Sequence, residues 1–177
     1  MPRVGAAVLK ARYIRGPMLP YLIVSSNFGA TGRVYLVPID VLWPVIIDRI
    51  IYQVGTTSAG NVRLGIYREG ATVDSPLGAA LVVESASVAQ LTANYVQMVT
   101  VADTLLVPGQ YFVGIQGSDA TGTCYLSLDA EGKLANYYDR AGGYGALTDP
   151  CPALIAQAST PFFMLRVKEN LPAGQRL

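Results

Sequence analysis

Asp129 and Glu131 are the nearest local pair of carboxylates in this sequence, and two carboxylates are the minimum for glycoside hydrolysis. They fall at the end of a strand-like stretch with no other reactive group beside them, so they read as loop charges in water. Asp119, within Gly117–Gly122, could touch calcium. One carboxylate is far short of the six to eight oxygens that calcium takes, so that segment reads as a solvated turn. Histidine is absent from all 177 residues. Ser-His-Asp and Cys-His catalysis are thereby removed, together with most zinc and transition-metal sites. Cys124 and Cys151 are the only cysteines and read as two buried thiols; two positions cannot argue a disulfide. There is no phosphate-binding loop, no dinucleotide fingerprint and no glycosylation acceptor. The expectation is a protein without catalytic residues, metal or cofactor.

Two groups remain that could bind. Tyr137, Tyr138, Arg140 and Tyr144 lie close together among Gly142, Gly143 and Gly145. Tyrosine and arginine bury large area while keeping a polar handle, which suits a subunit or receptor contact. Sugar stacking is a second reading, and tyrosines folded back on their own domain a third. Arg3, Lys10, Arg12 and Arg15 precede the first acidic residue, Asp40. They make either a solvated tail or an arm that reaches a neighbouring subunit or a polyanion. Basic residues are not interleaved with aromatics as single-stranded nucleic acid prefers, so nucleic acid is not an expected partner.

The elements that must position these groups are strands. Residues 1–32 are punctuated by Pro2, Gly16, Pro17, Pro20, Gly29 and Gly32 and read as an irregular arm, with Tyr21–Ser25 a short extended piece. Strand candidates follow at Arg33–Val37, Val45–Val54, Asn61–Tyr67, Ala79–Val88, Tyr95–Val101, Gln110–Gln116, Cys124–Leu128 and Phe162–Val167. Val45–Val54 places Ile46, Ile50, Tyr52 and Val54 on one parity and Ile47 and Ile51 on the other. Val62, Leu64 and Ile66 alternate with Arg63, Gly65 and Tyr67, the signature of a half-buried strand. Residues 130–159 read as long and irregular, with a helical turn at 152–158. No amphipathic helix and no internal repeat is visible. About eight strands at this spacing predict an antiparallel sandwich, of jelly-roll type, over residues 33–168, with residues 169–177 as a tail.

Composition bounds the setting. Hydrophobic residues are 51% and charged residues 14%, against about 25% charged in average domains. Net charge is +1, and mean hydropathy is +0.36. No apolar run approaches the ~20 residues of a spanning helix, and the N-terminus lacks a signal-peptide pattern. Burial against partner chains is therefore the expected outlet for the excess apolar surface, since obligate interfaces resemble a core cut in half. Ten arginines against three lysines fit that reading, because arginine pairs bidentately across interfaces.

Arg33-Val34-Tyr35-Leu36-Val37-Pro38, Asp48-Arg49-Ile50, Asn61-Val62-Arg63-Leu64-Gly65-Ile66-Tyr67 and Pro108-Gly109-Gln110-Tyr111-Phe112-Val113-Gly114 together resemble β-sandwich domains of bacteriophage virion proteins. The resemblance spans just over half the chain. It implies a non-enzymatic structural protein of the virion, capsid shell or capsid decoration, assembled in the host cytoplasm as a homo-oligomer with other virion proteins. A fibre or carbohydrate-binding module, meeting a glycan or host receptor through the loop tyrosines, is the other role the resemblance implies.

Overall fold

The computed structural model describes residues 13–15, 23–68, 76–128, 135–139, 143–153, 155–157, 159–161 and 163–169. Among these there is no helix. The strands are β1 (Tyr13–Arg15), β2 (Ile23–Asn27), β3 (Arg33–Val41), β4 (Val45–Gln53), β5 (Asn61–Arg68), β6 (Leu81–Glu84), β7 (Val88–Ala89), β8 (Val96–Leu106), β9 (Gly109–Gly117), β10 (Thr123–Leu128), β11 (Ala135–Asp139), β12 (Ile155–Gln157), β13 (Ser159–Pro161) and β14 (Phe163–Glu169). All pairings are antiparallel.

A seven-stranded sheet runs β12-β11-β3-β9-β5-β6, with β7 also on β5, and a four-stranded sheet runs β1-β14-β4-β8. A third sheet, β13-β10-β2, has three strands. Alternation along each strand sends one parity inward. Tyr35, Val37, Ile39 and Val41 from β3 join Val62, Leu64 and Ile66 from β5 and Tyr111, Val113 and Ile115 from β9. Ile47, Ile50 and Tyr52 from β4, Val99 and Val101 from β8 and Phe163 and Leu165 from β14 meet them in one buried cluster. The chain is an all-β sandwich. Among its pairings, β3 pairs β9, β4 pairs β8, and β5 pairs β9, β6 and the short β7.

Several sequence expectations need correction. In β4 the register against β8 shifts between Ile47 and Arg49. The bulge moves Val45 and Ile47 onto the same inward face as Ile50, Tyr52 and Val54, and leaves Ile46 outside the core. β3 continues through Pro38 to Val41, where a connection was expected. Among the described residues its pairing with β11 ends at Leu36 and Pro38 has only β9 as a strand neighbour, a setting in which a residue without an N–H is tolerated. Residues 130–159 hold two strands, β11 and β12, and β12 stands where a helical turn was expected. β1 lies within the span read as an irregular arm, where it pairs with β14; β2, which pairs with β10, overlaps the short extended piece expected at Tyr21–Ser25.

Candidate functional site

The tyrosine segment divides. Tyr137 and Tyr138 are in β11, whose backbone pairs Tyr137 with Tyr35 and Ile155, and Tyr138 with Val34. Tyr144 belongs to residues 143–153, which lie over the outward face of the seven-stranded sheet. That face carries the other parity of the strands: Val34 and Leu36 from β3, Tyr67 from β5 and Phe112 from β9. Together with Ala79, Leu147 and Cys151 they form a second buried cluster. Gly65 makes the fit: a Cβ there would stand 2.4 Å from Leu147 Cδ1.

Polar contacts fasten the segment. The Leu147 amide donates to Glu84 Oε1 at 2.9 Å, the Tyr67 hydroxyl donates to Thr148 O at 3.0 Å, and the Leu81 amide donates to Asp149 Oδ1 at 3.0 Å. Cys151 and the 78–79 turn exchange two backbone bonds, at 2.8 and 2.9 Å. The fully buried Gln116 receives the Gly145 amide at 3.3 Å and donates to Gly32 O at 3.1 Å. Tyr144 shares a 2.7 Å hydrogen bond between its hydroxyl and that of Ser87. The Arg63 guanidinium stands 5.9 Å from the Tyr144 ring centre, within cation–π range, and pairs with Glu84 at 3.2 Å. Among the described members of the tyrosine group, Tyr144 is therefore engaged within its own chain.

Arg3, Lys10, Arg12, Arg140, Asp129 and Glu131 lie outside the described residues. Arg15 is in β1, its backbone paired with Met164. Asp119 accepts from the amide and hydroxyl of Thr121, and these bonds hold its carboxyl below the usual range. Both cysteines are free thiols, Cys124 in the inner cluster and Cys151 in the outer one, and burial pushes each up to about 12. A thiol with that pKa carries almost no thiolate near neutral pH and is a poor nucleophile. No group of three metal-ligating side chains occurs among the described residues, and no helix among them is long and apolar enough to cross a membrane.

What the sequence reading passed over is an apolar surface around β8. This eleven-residue strand is the longest and stands at the edge of the four-stranded sheet. Val96 and Met98 are each 53% exposed, and Leu91, Tyr95 and Leu105 are exposed with them. The register Val41↔Gly109 and Val45↔Leu106 sets the β3–β4 connection beside the β8–β9 turn. Leu42 and Trp43 project from that connection, 74% and 49% exposed. The Tyr111 hydroxyl fixes the neighbouring turn, donating to Val107 O at 3.0 Å and accepting from its amide at 3.2 Å.

The signal for this surface was present in composition, as excess apolar residues. Its location was not, because the strand alternates normally and only its place at a sheet edge exposes the outward parity. No family model matches the chain, and no curated protein matches its sequence.

Proposed function

We propose that this chain is a non-enzymatic structural protein of a phage virion, of capsid shell or capsid decoration type, that assembles with copies of itself. The observation that carries the reading is the exposed apolar surface of β8 and the Leu42–Trp43 tip, on a chain with 14% charged residues. Exposed large apolar side chains at a sheet edge and a loop tip suit interaction with another chain, and the edge offers main-chain hydrogen bonds in addition. The pairing β3·β9, β4·β8, β5·β7 agrees with a jelly-roll topology, a plan common to capsid and lectin domains. The alternative role, glycan or receptor binding through Tyr137, Tyr138 and Tyr144, is the less favoured, since Tyr144 is already bound to Ser87 and lies against Arg63.

Light scattering over a concentration series tests the assembly. A stable oligomer is expected; a monomer at every concentration, with no affinity for virus particles, would overturn it. Peptides of this chain among the proteins of purified virions are the expected sign of its location.

A further inference from the structure

The free side of β8 has a definite chemistry. The Val54 amide donates to Tyr95 O at 2.9 Å, so the carbonyl of Tyr95, and by alternation the backbone groups of Gln97 and Val99, face β4. Those of Val96, Met98 and Thr100 face away, and among the described residues they meet no partner. Three donors and three acceptors thus stand in a row, and the Val96 and Met98 side chains beside them are half exposed.

Further along, the strand is closed off. Ile47 pairs with Thr104 but Arg49 pairs with Thr100, so Val101, Ala102 and Asp103 bulge opposite Asp48. A bulge interrupts pairing on both sides of a strand. Asp103 is also ion-paired to Lys168 of β14, which places charge at this point. The pairing-competent stretch is therefore 96–100: Val, Gln, Met, Val, Thr.

That stretch has no proline, glycine or charge, and its Gln97 is held inward by Tyr52 at 2.7 Å and by Ala89 O at 2.8 Å. It also fits itself. In antiparallel pairing about a twofold axis at Met98, Val96 meets the other copy's Thr100, Met98 meets Met98, and no two like charges come opposite. Both Met98 residues have outward backbone groups, so they form a hydrogen-bonded pair.

We infer that a second copy of this chain docks edge to edge on Val96–Thr100, joining the two four-stranded sheets into one across a twofold axis at Met98. The inference rests on the self-assembly reading above and names its contact. The cross-strand row Met98–Ile51–Met164, set by the registers across β8, β4 and β14, then extends into the second copy. A C2 contact of this kind is self-complementary and closed.

Cysteine substitution reads the register. Cα atoms of a hydrogen-bonded antiparallel pair are about 5.5 Å apart, within disulfide range. Two Val96 residues would be displaced by four residues, about 13 Å along the strand, outside that range. Oxidation of Met98→Cys is expected to give a covalent dimer and oxidation of Val96→Cys none, the native thiols being buried. Met98→Lys, at a half-exposed side chain, is expected to keep the circular dichroism of the folded chain and to weaken association roughly tenfold or more.

No covalent dimer from Met98→Cys, or equal yields from both variants, would overturn the register. If the wild-type chain nevertheless oligomerises by light scattering, the assembly reading survives and only this contact falls. Oligomers that persist unchanged in Met98→Lys, or a heterologous strand found seated on β8, would have the same meaning.

Discussion

On the outer side of the seven-stranded sheet, Val34, Leu36, Tyr67 and Phe112 are covered by residues 143–153 of the same chain. At the free side of the four-stranded sheet, Val96 and Met98 remain half exposed. Both surfaces are apolar rows on strands of one sandwich. They differ in what crosses them. The first is crossed by a segment whose amides and carbonyls are bound at Glu84, Tyr67, Gln116 and Ala79, so the chain satisfies its own polar groups as it covers the apolar ones. The second keeps a row of outward backbone groups, of Val96, Met98 and Thr100, that meet no partner among the described residues.

The comparison can be broken from the covered side first. Leu147→Ala removes the side chain that fills the space over Gly65 and is expected to cost about 2–5 kcal/mol, measured by denaturant unfolding. Met98→Ala, at the open face, is expected to change monomer stability by no more than ~0.5 kcal/mol. Equal costs would erase the distinction. Gly32→Ala comes next. Gly32 sits at φ +82, and a Cβ there would stand 2.4 Å from the Gly143 carbonyl carbon. A loss of about 1–3 kcal/mol is expected, with faster proteolysis around residue 143.

Tyr144→Phe is smaller again. Losing the hydroxyl contact to Ser87 should cost about 0.5–1.5 kcal/mol without changing oligomeric state. A collapse of assembly in that variant would move the functional surface to the covered face.

The last prediction concerns pH. Asp48 receives Arg166 Nε at 2.7 Å and Nη2 on its other oxygen. That hydrogen bonding to Arg166, opposed in part by burial, holds its carboxyl below the ordinary value of 3.8. The folded state thus binds this proton more weakly than the unfolded state. The resulting stabilisation is full above the unfolded pKa and is lost as pH falls through the lower folded one. Asp48→Asn should flatten the acid limb of the stability curve below about pH 4 and leave association at β8 intact.

Much of the sandwich was legible from alternation. Val62, Leu64 and Ile66 face the core as their spacing required, and Tyr111, Val113 and Ile115 do the same. Alternation fails where a bulge intervenes, because one extra residue reverses parity, as at Asp48 between Ile47 and Arg49. It also says nothing of a strand's neighbours. Tyr67 and Phe112 lie on the face opposite the core in any reading of β5 and β9. That they are buried depends on residues 143–153, about 30 to 80 positions away, whose glycines and prolines give no period to read. The candidate site was hidden for the same reason: Val96 and Met98 have the sequence of an ordinary strand, and the lack of a further strand beside β8 among the described residues is a fact of topology.

Trp43 is the single tryptophan of the chain, and it stands at the exposed β3–β4 tip, away from both buried clusters. Intrinsic fluorescence excited at the indole will therefore be nearly blind to loss of the core, since the ring is already half in water in the native state. It will respond instead to whatever comes to rest on the tip. An ordinary melting curve followed by tryptophan emission would report this protein as featureless, while the same signal followed against concentration would act as a built-in gauge of contact between molecules.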